Sequence, residues 1–225
     1  MKAVLILSGG LDSSTLGYWL KANNYRELIC LSFDYGQKQI IELNSAKVIA
    51  EKLNATHQII DLSFIQPLLS NSSCSLTNNE INVPHGEYSK ENMQSTVVPN
   101  RNSMMLTIAW TIACVEKAEA LAYGAHGGDH YLYPDTRPDY FNALNLALRL
   151  GSEDQRQANL NLIAPFIHWP KAKIVTEGAR LQVPFELTWT CYEGREIHCG
   201  LCGACCGRKQ AFAQANISDP TIYRN

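Results

Sequence analysis

The sequence predicts an α/β fold: a parallel sheet flanked by helices, with a small cysteine-rich module at its C-terminal end. Three observations predict it. Short apolar runs alternate with amphipathic stretches through the first 181 residues. The first run ends in Ser8-Gly9-Gly10, which turns the chain sharply. Beyond Gln182 the composition shifts to Cys, Gly and aromatics, and five of the eight cysteines lie between Cys191 and Cys206.

Ala3 to Leu7 is apolar throughout and reads as a buried strand. Asp12 to Leu20 reads as a helix with Leu16, Trp19 and Leu20 on one face. Leu28 to Phe33 is a second strand, Ile40 to Leu53 a second helix, and Gln58 to Leu62 a third strand. Strands alternating with helices make right-handed crossovers and a parallel sheet. Ser63 to Pro99 breaks the pattern. It is rich in Ser and Asn and has no period, so it reads as a lid or binding insertion, or equally as a variable surface loop. Asn102 to Ala120 is a long helix, Leu121 to Ala125 a fourth strand and Pro138 to Arg149 a helix. Asn161 to Ile167 is a strand and Pro170 to Leu181 a helix. The chain divides into an α/β domain over 1–181 and a Cys-rich module over 182–225.

Composition excludes several classes. With 19 Lys plus Arg against 21 Asp plus Glu, the net charge of −2 gives no basic face for coating nucleic acid. No direct nucleic-acid binding is expected. The longest mostly apolar run, Met104 to Val115, falls short of the roughly 18 residues that span a bilayer. Met1 to Ser8 lacks the long apolar stretch and cleavage site of a secretory signal. A cytoplasmic protein is expected, and in a reducing compartment eight cysteines read as metal ligands or buried thiols rather than disulfides.

The first chemical signal is Ser8-Gly9-Gly10-Leu11-Asp12-Ser13-Ser14-Thr15. It follows a strand and opens a helix. Two glycines expose backbone N–H groups, the helix N-terminus adds its positive end, and Ser8, Ser13 and Ser14 add hydroxyls. Such a segment cradles an anion. No Gly-Lys and no Gly-x-Gly occur, which excludes a Walker A loop and a dinucleotide fingerprint. The second signal is Cys191, Cys199, Cys202 and Cys205-Cys206, separated by glycines. Four thiolates at this density suit a closed, structural tetrahedral Zn²⁺ site. The spacing leaves open Cys205 or Cys206 as last ligand, His198 in place of one thiolate, and an iron–sulfur cluster.

Ser-Gly-Gly-x-Asp-Ser after the first strand resembles the PP-loop of the ATP pyrophosphatase superfamily. Further matches follow in order: Leu31 to Gln37, Val98 to Asn102, Gly128-Asp129, Tyr133 to Pro138, Thr188 to Cys191, Gly207 to Phe212 and Asp219-Pro220. This ordered set resembles the QueC family of 7-cyano-7-deazaguanine synthases over essentially the whole chain. The resemblance implies a Rossmann-like, adenine nucleotide alpha hydrolase-like fold, and enzymes that turn 7-carboxy-7-deazaguanine, ammonia and ATP into a nitrile. The carboxylate is adenylated, ammonia displaces AMP, and the amide is adenylated in turn. The resemblance also implies Mg²⁺, a Zn²⁺ held by Cys191, Cys199, Cys202 and Cys205, and a homodimer.

By the same likeness Ser8, Gly9, Gly10, Leu11, Asp12, Ser13 and Ser14 hold the polyphosphate, and Asp34 and Gln37 meet adenosine or cap the next helix. Ser8, Asp12, Ser13, Arg101 and Lys171 are the expected catalytic residues. Asn102, Asp129, Tyr133, Asp135 and Arg137 join Arg101 around the deazaguanine, with Asp135 also fitting a plain turn residue. Trp189 and Phe212 are expected in the core. Three positions depart from the family: Thr136 where Cys is common, Asn100 where Gly is common, and the additional thiol of Cys206. They allow a relative that stops at the amide or takes another amine. A tRNA-thiolating PP-loop enzyme is a further alternative, against which the lack of a basic appendage speaks.

Overall fold

The computed structural model describes residues 1–70, 73–87, 89–152 and 159–224. Its centre is a five-stranded, all-parallel sheet in the order β3-β2-β1-β4-β5. The strands are β1 (Lys2–Ile6), β2 (Glu27–Asp34), β3 (Thr56–Asp61), β4 (Ala120–Ala122) and β5 (Asn161–Ile163). Leu5 stands opposite Cys30 on one side and Ala122 on the other, so β1 is central.

Side chains alternate across a strand, and β1 therefore feeds two cores. Ala3, Leu5 and Leu7 face α1 (Leu11–Ala22), α2 (Glu42–Lys52), α7 (Lys171–Arg180) and α8 (Gly203–Gln214), meeting Leu16, Ile49, Ile174 and Phe212. Val4 faces the opposite layer, where Leu106 and Trp110 of α5 (Arg101–Val115) cover Ile29, Leu121 and Leu162. Phe141 and Leu144 of α6 (Pro138–Gly151) close that layer's edge. Each fully buried Leu contributes about 1.5–3 kcal/mol. Strands covered on both faces explain the continuous apolar runs. Among the described residues no helix is long and apolar enough to cross a membrane.

Several boundaries differ from expectation, each for a local reason. The helix expected to reach Ala120 ends at Val115 because Lys117 turns left-handed (φ 53°) and the Ala118 N–H donates to the Ala113 carbonyl. The fourth strand covers only Ala120–Ala122, since the chain then leaves the sheet toward Gly127, whose N–H donates to the Trp169 carbonyl. The fifth stops at Ile163: Pro165 has no N–H for a ladder, and Ile167 and Trp169 bond back into turns. Helix α8 was not expected, because Gly203 and Gly207 are poor helix formers.

The Ser63–Pro99 segment is partly exposed and partly buried. It carries two short helices, α3 (Gln66–Ser70) and α4 (Lys90–Met93), and part of it, residues 71, 72 and 88, lies outside the described residues. Cys74, Ser75, Leu76 and Thr77 are buried. The Gly86 N–H donates to the Leu201 carbonyl, joining the segment to the cysteine module.

Gly9 has φ +77°, and a Cβ there would stand 2.5 Å from the Ala46 nitrogen and the Glu42 carbonyl oxygen of α2. Neither backbone atom can yield. Gly9→Ala is therefore expected to remove about 2–4 kcal/mol of stability, read as a lower denaturant midpoint at unchanged slope.

Candidate active site and metal centre

The turn between β1 and α1 forms an anion cup. Gly10 is the N-cap in extended conformation, and α1 begins at Leu11. The Ser8 N–H donates to Ser13 Oγ at 3.2 Å, the two hydroxyls lie 3.0 Å apart, and the Gly10 N–H donates to Ser8 Oγ at 3.3 Å. The serines thus brace the cup, whose mouth combines free amides with the helix dipole.

The cup opens into a cavity beyond the carboxyl ends of β1, β2 and β4, where the strand connections diverge. Ser8, Gly10, Leu11, Asp12 and Ser13 line one side. Arg101 and Asn102, at the start of α5, line another, and Asp129 and Lys171 lie at the end near Asp12. The wall also holds Tyr35, Gln39, Glu42, Tyr123 and Tyr192, none of which was among the expected site residues, though Tyr35 lies within the Leu31 to Gln37 match. Trp189, expected only in the core, is 8 % exposed yet lines this wall too, and its backbone N–H donates to the Gly9 carbonyl at 2.8 Å. Phe212 is in the core, edge-on to Phe185.

Charge concentrates at one end. Lys171 Nζ lies 3.1 Å from Asp12 Oδ2. Burial works against the Asp12 carboxylate, but Lys171 and His126 outweigh it and hold its pKa below the ordinary value. Burial likewise opposes the Lys171 ammonium, while Asp12 and Asp129 raise its pKa overall. His126, absent from the sequence reading, is 2 % exposed, with Nε2 3.4 Å from Asp129 Oδ2 and 3.7 Å from Asp12 Oδ2. Its Nδ1 accepts the Gly128 N–H at 3.1 Å, which leaves the Nε2 proton facing both carboxylates. Across the cavity, Arg101 Nη1 donates to the Tyr35 hydroxyl at 3.3 Å. Burial pushes Tyr35 up to about 12, so it stays a neutral hydroxyl. Burial also pushes Glu42 up to about 7, with Gln37 and Arg101 pulling the other way.

Seven expected residues are set back from the cavity wall. Gly9 faces α2, and Ser14 is fully buried. Asp34 accepts the Gly36 N–H. Gln37 accepts the Tyr35 N–H and donates to the Phe33 carbonyl and Glu42. Tyr133 bonds Thr96, and Arg137 Nε donates to the His130 carbonyl. Asp135 Oδ2 accepts the Asn102 N–H at 3.0 Å and so supports the first turn of α5 behind Arg101. Thr136 does line the cavity, with its hydroxyl donating to the Tyr133 carbonyl at 2.7 Å.

A candidate metal centre lies against this wall. The sulfurs of Cys191, Cys199, Cys202 and Cys205 are buried and within 4.8 Å of one another. Cys199 and Cys205 Sγ are 4.0 Å apart, close to the ~3.8 Å edge of a tetrahedron with ~2.3 Å Zn–S bonds. Backbone N–H groups of Cys199, Leu201 and Cys202 donate to sulfur, as thiolates require. Cys206 Sγ instead donates to the Leu201 carbonyl. His198, which burial pushes down to about 4, accepts the Thr190 N–H through Nε2. Both therefore stand outside the four-sulfur set.

A family profile described as queuosine biosynthesis protein QueC matches residues 2–216. The chain belongs to the QueC family. It is 45 % identical over 225 residues to a 7-cyano-7-deazaguanine synthase of Brucella anthropi, covering all of this chain and 94 % of that one. The corresponding synthase of Brucella ovis is 44 % identical over 226 residues, with 100 % and 94 % covered. Among solved structures, the U34-tRNA thiolase NcsA from Methanococcus maripaludis, with its 4Fe–4S cluster, superposes with a TM-score of 0.50 at 16 % identity. The match covers 82 % of the QueC chain and 58 % of the thiolase. A predicted subunit of tRNA methyltransferase from Methanocaldococcus jannaschii gives 0.50 at 18 % identity, covering 80 % and 74 %. At such identities the likeness concerns the fold alone: the QueC chain shares the PP-loop, adenine nucleotide alpha hydrolase-like architecture.

Two outcomes are expected of this QueC site. Glu42 titrates near 7 when folded against an ordinary 4.5. Its contribution to stability is thus present below pH 4.5 and lost as pH rises through 7. Denaturant midpoints across that window should fall for the unaltered chain and stay flatter for Glu42→Gln. Cys205→Ser should abolish metal binding at the four-sulfur set, measured by atomic absorption, and lower the melting temperature, because metal binding at a closed thiolate site is also folding free energy.

Proposed function

We propose that the chain is a 7-cyano-7-deazaguanine synthase. It uses ATP to convert 7-carboxy-7-deazaguanine and ammonia into 7-cyano-7-deazaguanine, through an adenylated carboxylate and an adenylated amide, with release of AMP and pyrophosphate. The observation that carries this reading is that one cavity joins the Ser8–Ser13 cup to Arg101 on the facing wall, in a chain of the QueC family. The homodimer and the cytoplasmic setting belong to the same proposal.

A carboxylate resists attack because its oxygen leaves poorly; transfer to the α-phosphorus of ATP makes that oxygen part of a good leaving group. Both partners are anions, so catalysis rests on positioning and charge stabilisation. The amides of Leu11 to Ser13 and the hydroxyls of Ser8 and Ser13 hold the departing pyrophosphate, with the Gly10 N–H bracing Ser8. Lys171, fixed by Asp12, adds a positive charge beside it. Arg101 pairs with the substrate carboxylate or with phosphate, oriented by the Tyr35 hydroxyl. Asn102 and Asp129 face the deazaguanine edges. Asp12 and Asp129 fit a Mg²⁺ ion: Asp12 Oδ1 is buried without a protein partner. When bound, that ion offsets phosphate charge. The four buried cysteines fit Zn²⁺, whose closed site supports residues 182–225 and leaves no open position for catalysis.

Thr136 bears on the second reading, an enzyme that halts at the amide or uses another amine. Its hydroxyl is committed to the Tyr133 carbonyl in the cavity wall. This favours a lining role, in which Thr replaces Cys with little change of size, and so favours the complete reaction.

Mass spectrometry of a reaction with Mg-ATP, 7-carboxy-7-deazaguanine and ammonia should find the nitrile with AMP and pyrophosphate. Amide accumulating without nitrile would transfer the assignment to the second reading. Arg101→Ala should lower kcat/KM for the carboxylate by about 10²–10³-fold, the usual loss for one preorganised donor, with an unchanged circular dichroism spectrum.

A further inference from the structure

A second group of metal-ligating side chains lies beside the four-sulfur set and shares one member with it. His85, Glu193 and Cys199 each place a ligand atom within 4.8 Å of the other two. We propose that this trio is the station at which Zn²⁺ docks on its way into and out of the buried four-sulfur set. The inference rests on the zinc reading of those four cysteines and not on the reaction.

The buried set needs a route to solvent. Cys191, Cys202 and Cys205 are fully buried, and of the four only Cys199 has any exposure, 4 %. The side chains of the trio descend toward it: His85 is 51 % exposed and Glu193 14 %. Imidazole, carboxylate and thiolate are the donors that Zn²⁺ takes. A hydrated ion loses its waters one at a time as ligands replace them, so donors graded from surface to interior spare it a single costly desolvation. A thiolate sulfur has lone pairs enough for two ions. Cys199 can therefore take the ion from His85 and Glu193 without leaving the four-sulfur set.

Backbone contacts with the metal module hold both outer donors. His85 pairs with Cys202 in an isolated antiparallel bridge, next to the bond from the Gly86 N–H to the Leu201 carbonyl. The Glu193 N–H donates to the Cys191 sulfur. His85 Nε2 stands 2.7 Å from Glu193 Oε1, while Arg195 Nε lies 3.3 Å from Oε2. Ligand atoms ~2.1 Å from a tetrahedral ion are ~3.4 Å apart. His85 and Glu193 thus need part by less than ~1 Å to hold one, and Arg195 keeps the outer oxygen. The 63–99 segment acquires a role in this way: it carries His85 to the metal module.

A station speeds entry and exit by the same factor and leaves the equilibrium affinity alone. Zinc release from the purified, zinc-loaded chain into excess chromogenic chelator is followed for His85→Ala and Glu193→Gln. Both should release about tenfold more slowly than the unaltered chain, with the same zinc content and melting temperature. His85→Cys supplies another zinc ligand and should keep the original rate, which separates ligation from the ion pair with Glu193. Unchanged release in His85→Ala and Glu193→Gln overturns the station. So does faster release, which makes the pair a cover over Cys199, and so does loss of zinc content, which makes His85 a ligand of the buried ion itself. If the unaltered chain, purified in reducing buffer, holds no zinc, the four-sulfur reading fails and the station falls with it.

Discussion

The Arg208 guanidinium is completely buried, and the arrangement around the site depends on how its charge is met. A buried charge without partners is strongly unfavourable. Arg208 spends its donors on Asp219, Thr188, Thr190 and the Phe185 carbonyl, at 2.7 to 3.2 Å. These bonds hold the 185–190 strand of chain against α8. Within that stretch the Trp189 N–H reaches the Gly9 carbonyl, and Cys191 begins the four-sulfur set. One cation thus links the metal centre, the C-terminal residues and the turn that forms the anion cup. Removing any acceptor would leave a charge that water cannot reach.

The same economy governs the cavity. Asp12 and Lys171 neutralise each other at the end of the cavity beside the cup, and His126 Nε2 lies 3.7 Å from Asp12 and 3.4 Å from Asp129. Among the described residues, Arg101 on the facing wall has only a neutral phenol as hydrogen-bond partner. The unbalanced positive charge is therefore at the wall opposite the cup, where an anionic substrate would supply the missing partner. Burial pushes the Glu42 carboxyl up to about 7, which weakens the negative charge it sets against Arg101.

Most of the sheet is legible in the sequence, because strands buried on both faces leave mostly apolar runs such as Ala3–Leu7 and Leu28–Phe33. The strand-to-helix cup is legible for the same reason: its glycines and serines are consecutive. What escapes is whatever depends on long-range placement. Asp135 and Gln37 carry the residue types of ligand contacts, yet their polar atoms are taken up by the Asn102 and Tyr35 backbones. His126 gives no signal among six histidines until the fold sets it beside two carboxylates. Helix α8 is hidden by glycines whose helical conformation is imposed by the thiolates at its start and by Arg208.

The hydrogen bond from Trp189 to Gly9 spans almost the whole chain in sequence, and this sets an order of assembly. Strand β1 and its turn are synthesised well before the partners near Trp189 that complete the turn. Until then the cup lacks one wall, and its contacts are of the slow, non-local kind. The turn is therefore made long before the segment around Trp189 that completes its wall.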